Sequence, residues 1–79
     1  MIQAYILVKV EAGKDEETFS EIAKLSNVSK ANSTYGIYDL IIAVEFSKIE
    51  ELDEFVFNKV RKIPGVKETA TIIISKTII

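Results

Sequence analysis

Tyr35-Gly36-Ile37-Tyr38-Asp39-Leu40-Ile41-Ile42-Ala43-Val44 is the stretch on which the fold of this chain turns. It reads as a tight corner followed by the most apolar strand, which extends from Tyr38 to Phe46. Gly36 supplies the backbone freedom that a turn with positive φ requires. Upstream, Val28 to about Tyr35 reads as a polar strand whose serines, threonine and asparagine suit a sheet edge. Downstream, Ser47-Lys48-Ile49-Glu50 has the order of a capping box, a hydroxyl followed three residues later by a carboxylate. The helix it opens carries Ile49, Leu52, Phe55, Val56, Val60 and Ile63 at helical spacing, and Pro64-Gly65 stops it. Val66 to about Thr77 is the last strand.

Toward the N-terminus, Ile2 to Val10 is short, rich in β-formers and nearly all apolar or aromatic, which marks a strand buried on both faces. Glu11-Ala12-Gly13 breaks it. Asp15 to Leu25 has helical spacing, with Phe19, Ile22, Ala23 and Ser26 on one face. Asp15, Glu16 and Glu17 fall in its first turn, where the helix dipole favours anions, and Asp15 is also a candidate cap. The element order is β-α-β-β-α-β. Its halves share a pattern in which Phe19 meets Phe57, Lys24 meets Lys62 and Val28 meets Val66. Two βαβ halves in one sheet predict an α+β, ferredoxin-like fold. Its four-stranded antiparallel sheet has both helices on one face and the first and third strands at the centre.

The 79 residues predict a single small domain, 1–79. A chain of this size buries only about 60% of its unfolded surface, yet 48% of these residues are apolar. Strand alternation assigns Ala4, Ile6, Val8, Leu40, Ile42, Val44, Ala70, Ile72 and Ile74 to the helix-covered face. The opposite face then keeps Tyr5, Leu7, Ile41, Ala43 and Ile73. An apolar face of that kind marks an interaction surface, so the sequence predicts a homodimer with the sheets face to face.

The net charge is −2 with acids and bases intermixed, so no basic stripe awaits a nucleic-acid backbone. There is no cysteine and no histidine. That removes disulfides, thiolate metal sites, thiol nucleophiles and imidazole acid–base catalysis. The glycines lie too far apart for a phosphate loop, and no cofactor or metal motif is present. No apolar run approaches the ~20 residues that span a bilayer, and the N-terminus lacks the pattern of a secretory signal. These features predict a cytoplasmic protein.

Asp39 is the carboxylate that stands apart, because it follows a glycine corner and is flanked by apolar residues. It can hydrogen-bond nearby backbone amides as a turn aspartate, contact a ligand, or act as a general base. No second placed carboxylate or nucleophile accompanies it. Tyr35 and Tyr38 flank the corner as aromatic walls for a small ligand, or in the case of Tyr38 as a core ring. Thr69 and Thr71 are assigned by alternation to the face of Asp39 and become part of a site only if they border the 35–39 corner of another copy. The expectation is a chain without catalytic residues. A small dimeric ferredoxin-like enzyme and a purely structural oligomerisation module are the alternatives.

Gly36-Ile37-Tyr38-Asp39-Leu40 resembles the G-x-Y-D-L signature of the Lrp/AsnC (feast/famine) regulators. Ile63-Pro64-Gly65-Val66 followed by Thr69 and Thr71 is similar to that family's L-P-G-V-x-x-T-x-T segment. With the β-α-β-β-α-β order, the likeness covers the whole chain and points to the effector-binding domain often called RAM. The resemblance implies sheet-face dimers that assemble into tetramers or octamers of dimers, with an amino acid or similar effector between dimers. It implies ligand contacts from Tyr35, Gly36, Ile37, Tyr38 and Asp39, with Thr69 and Thr71 close by, and Asp39 as the partner of an α-amino group. It further implies a role in transcription regulation, with full-length Lrp/AsnC-type regulators as partners. That family's regulators carry an N-terminal helix-turn-helix, whereas this sequence opens on its first strand, so the expectation departs from the family pattern in having no DNA-binding domain of its own.

Overall fold

The computed structural model describes residues 1–79. Strand β1 spans Ile2–Val10, helix α1 Asp15–Ala23, β2 Val28–Ser33, β3 Leu40–Phe46, α2 Ile49–Phe55 and β4 Val66–Ile73. Helix α2 runs on into a π-helical turn over Val56–Val60, closed by the Arg61 amide donating to the Val56 carbonyl at 2.9 Å. The four strands are antiparallel throughout in the order β2-β3-β1-β4. The two most apolar strands are therefore central, and the polar β2 is an edge, as expected.

The core lies between the sheet and the helices. Ala4, Ile6 and Val8 of β1 alternate with Leu40, Ile42 and Val44 of β3, all buried, against Ile22 of α1 and Leu52, Phe55 and Val60 of the second helix. The Phe46 and Phe55 rings meet at 5.2 Å and a tilt of 51°, a geometry that adds about 0.5–1.5 kcal/mol beyond area burial. The α1 stripe differs from the expected one. Thr18 and Ile22 are buried, whereas Ala23 and Ser26 are exposed and Phe19 is half-buried. A threonine is tolerated there because its hydroxyl donates to the Pro64 carbonyl at 3.0 Å.

Helix α2 begins one residue later than the Ser47-to-Glu50 pattern implied. Its N-cap is Lys48, and the Glu51 carboxylate accepts from the amides of Ser47 (3.1 Å) and Lys48 (3.2 Å). That completes the carboxylate half of a capping box. The first helix has Lys14 as its N-cap and no side-chain cap, so Asp15 is its first helical residue. The strands beside the corner are shorter than expected, and residues 34–39 form the connecting loop.

One face assignment is corrected. Antiparallel partners lie on the same side of a sheet, and β1 pairs Ala4 with Ile73, Ile6 with Thr71 and Val8 with Thr69. Thr69, Thr71 and Ile73 therefore share the helix-covered side with Ala4, Ile6 and Val8. Ile73 is not on the open face, and Ala70 and Ile72 are. Three successive isoleucines carry no alternation by which to fix the parity. The remaining open-face residues, Tyr5, Leu7, Ile41 and Ala43, lie where expected. No helix is long and apolar enough to cross a membrane.

Candidate ligand-binding site

The loop from Thr34 to Asp39 folds over the end of the sheet where β2 turns into β3. Gly36 takes φ +122°, a conformation that side-chain-bearing residues rarely adopt, and open space surrounds it. Backbone conformation, not crowding, calls for glycine here. The Thr34 amide donates to the Asp39 carbonyl at 2.9 Å, and the Thr34 hydroxyl donates to the Tyr38 carbonyl at 2.8 Å. These bonds close the loop from both ends.

Asp39 anchors the loop to the sheet. Its amide donates to the Val8 carbonyl at 2.9 Å, and its Oδ2 accepts from the Val10 amide at 2.8 Å. The carboxylate thus replaces a ladder partner at the end of β1, a long-range bond and not one to the amides of its own turn. The side chain makes no other hydrogen bond within the chain, and Asp39 lines a cleft of about 340 Å³ together with Asp15, Phe19, Ser33, Thr34 and Tyr35. Tyr35 is wholly exposed and Ile37 largely so, while Tyr38 is half-buried. Two carboxylates, two hydroxyl side chains and two aromatic rings thus surround one open cleft.

Thr69 and Thr71 do not reach this cleft. Thr69 shares a row with Val8 and Leu40, which puts it two strand spacings, about 10 Å, from the start of β3. Both threonines line a separate groove of about 280 Å³ under the second helix, with Leu52, Asp53, Val56, Phe57, Arg61 and Ile73. There the Arg61 guanidinium stacks 5.1 Å from the centre of the Phe57 ring. Within one chain, residues 35–39 and 69–71 are parts of two clefts.

The sequence reading missed the contributions of Asp15, Phe19, Ser33 and Thr34 to the first cleft. Asp15 and Phe19 had local explanations in the helix dipole and the core stripe, and nothing local signals that α1 begins beside the β2–β3 loop.

The open sheet face is the second feature of note. The rows Ile41–Leu7–Ala70 and Ala43–Tyr5–Ile72 run unbroken across three strands. Polar pairs close the patch at both ends: Gln3 Nε2 donates to Glu45 at 3.1 Å, and Lys9 lies 3.6 Å from Glu68. An apolar centre inside a polar rim is the anatomy of a protein interface.

Residues 3–79 match the family model described as the Lrp/AsnC ligand binding domain. The chain belongs to the Lrp/AsnC ligand-binding domain family. The Pyrococcus horikoshii HTH-type transcriptional regulator FL11 is 40% identical over 74 residues, which is 94% of this chain and 48% of FL11. The chain spans about half the length of the curated relatives it matches. The crystal structure of FFRP-DM1 superposes with a TM-score of 0.87 at 38% identity and covers 94% of this chain and 99% of that one. The structure of Escherichia coli AsnC gives a TM-score of 0.91 at 25% identity over 99% of this chain and 53% of AsnC. The Lrp/AsnC neighbours share the β-α-β-β-α-β fold with its four-stranded sheet, and the named relatives are transcriptional regulators.

Proposed function

We propose that this chain is a non-enzymatic module of transcription regulation that binds an amino acid or a similar small effector and couples its binding to assembly. One observation carries the reading. The Asp39 carboxylate is held in place by the Val10 amide, makes no other hydrogen bond within the chain, and belongs to a residue that lines the cleft. A fixed carboxylate next to hydroxyls and aromatic walls suits an ammonium group with an apolar body. The domain works as a homodimer through its open sheet face, and dimers join into tetramers or octamers. The residues assigned to effector contact are Tyr35, Gly36, Ile37, Tyr38 and Asp39, with Thr69 and Thr71 contributed across a boundary between dimers. Cytoplasmic full-length Lrp/AsnC-type regulators are its partners.

The mechanism is linkage. A ligand that contacts residues of two dimers at once favours the assembly in which both are present. A thermal-shift screen of the twenty amino acids tests it. At 100 times its Kd a true effector adds about 2.7 kcal/mol of stability, and its addition shifts the sedimentation profile toward the larger assembly. A screen in which no amino acid moves the transition overturns the effector assignment. Asp39→Asn keeps the acceptor for the Val10 amide but removes the charge, so it weakens binding while leaving the dimer intact.

A further inference from the structure

Helix α2 concentrates negative charge. Four of its seven residues, Glu50, Glu51, Asp53 and Glu54, are carboxylates, out of twelve in the whole chain. All four are exposed, and the next basic residue along the helix is Lys59. Position in the first turn accounts for Glu50 and Glu51, where the helix dipole favours anions. Asp53 and Glu54 lie beyond that turn. Glu50 and Glu54 stand four residues apart as neighbouring like charges, a spacing that weakens a helix. The chain's three ion pairs, Lys9–Glu68, Lys14–Glu17 and Lys24–Glu21, all lie elsewhere. Glu51 meets only the Ser47 and Lys48 amides, and Glu54 accepts from the Asn58 side-chain amide at 2.7 Å.

The charge sits between two apolar notches. One, of about 310 Å³, is floored by Phe46 and Phe55 and bordered by Asn27, Glu50, Glu54 and Lys59. The other, of about 300 Å³, is walled by Phe57 and bordered by Glu50, Asp53, Glu54 and Asn58. Glu50 and Glu54 border both, so they form a ridge with an aromatic notch on each side. Phe57 is 54% exposed, and its ring already stacks one guanidinium, that of Arg61. A helix with its side chains is about 10 Å across, so an occupant of both notches has to reach over that width. A small amine fills one notch at most. The surface lies on the helix side of the sheet, and face-to-face pairing leaves it accessible.

We propose that the outer side of α2 is a docking surface for a cationic segment of another protein, with Lys or Arg side chains on the Glu50–Glu54 ridge and an apolar side chain in the notch to either side. Charge complementarity selects this occupant. Four carboxylates without a cationic partner repel nucleic-acid phosphates and anionic lipid, and they attract ammonium and guanidinium groups. The aromatic floors then favour a segment in which apolar and basic residues alternate over one that is polar throughout. Apolar anchors supply affinity, and the ridge supplies steering and register.

An amide-shift titration of the isotope-labelled chain tests the proposal. The probe is a short synthetic peptide with two arginines flanked by two leucines. The expected result is saturable shifts centred on residues 46 and 50–58. A twin peptide with glutamate for arginine, and another with serine for leucine, give none. Glu50→Lys together with Glu54→Lys lowers the affinity about tenfold or more, because like charges then face each other across the contact. Glu11→Lys together with Glu16→Lys makes the same change in net charge at exposed positions away from α2 and leaves the affinity nearly unchanged. Phe57→Ala, also at an exposed position, weakens binding through the loss of the apolar wall. Equal weakening by the two charge-reversed variants would reduce the effect to net charge and overturn the proposal. So would shifts centred on the Asp39 cleft or the open sheet face, or no saturable shift at all. Shifts at residues 50–58 that follow chain concentration without peptide would assign the surface to a second copy and overturn it as well.

Discussion

Gly65 shows how one residue can serve two demands at once. Its φ of +94° lies in the left-handed region, and a Cβ built on it would collide with the Thr18 hydroxyl and press on Lys14. Its carbonyl accepts from the Glu11 amide at 2.8 Å, beside the bond from Thr18 to Pro64. The turn after the second helix is thereby tied to α1 and to the end of β1. Gly65→Ala costs about 1–2 kcal/mol for the backbone and about 1–3 kcal/mol for the collision, read by denaturant unfolding. In a Thr18→Ala background the part of the collision due to the Thr18 hydroxyl is recovered, while the backbone part and the Lys14 contact remain, so a double-mutant cycle isolates the hydroxyl's share. Asp39 divides in a similar way. Asp39→Ala leaves the Val10 amide without a partner and costs about 1–3 kcal/mol of stability, whereas Asp39→Asn retains most of it. Equal losses in the two variants would place the stabilising contribution in the charge and not in the strand-end hydrogen bond.

At the scale of elements, the glycine corner, the capping region and the Pro64-Gly65 stop were legible in the sequence because each is a local signal. Glu51 is the residue to change at the start of α2. Its carboxylate holds the amides of Ser47 and Lys48, so Glu51→Ala lowers stability by about 0.5–2 kcal/mol and Glu50→Ala changes it little, measured by thermal unfolding. Element order and the central position of β1 and β3 were legible too, since both strands are apolar on both parities. The side taken by β4 was not. Thr69 and Thr71 suggest an outward parity, yet they lie under the helix side because β4 is an edge that α2 covers only in part. The π-helical turn over Val56–Val60 was equally silent: its residues have unremarkable helical spacing. It leaves Phe57 exposed, with Arg61 stacked on its ring. The candidate cleft was half legible. Its loop declared itself through Gly36 and Asp39, while Asp15 and Phe19 arrive by tertiary packing that no local pattern encodes.

At the scale of the molecule, a small core and a large apolar share have to be reconciled. The helices cover one side of the sheet only. The other side presents Leu7 between Ile41 and Ala70, and Tyr5 between Ala43 and Ile72, inside the Gln3–Glu45 and Lys9–Glu68 rim. Apolar burial contributes about 25 cal/mol per Å², so covering a few hundred Å² of this patch adds several kcal/mol to a chain whose own core is marginal for its size. Leu7 sits in the middle of the patch and is half-buried even in the single chain. Leu7→Glu puts a carboxylate where a partner's sheet would exclude water, and an unpaired charge there is strongly destabilising to the pair but not to the solvated monomer. The expected outcome in sedimentation velocity at micromolar concentration is a face-to-face dimer for the unaltered chain and a species near the 8.9 kDa chain mass for Leu7→Glu. Glu45→Gln at the rim leaves the dimer in place and changes only its salt dependence. A Leu7→Glu chain that still sediments as a dimer through this face would move the interface elsewhere. The apolar rows across β3, β1 and β4 would then need another cover.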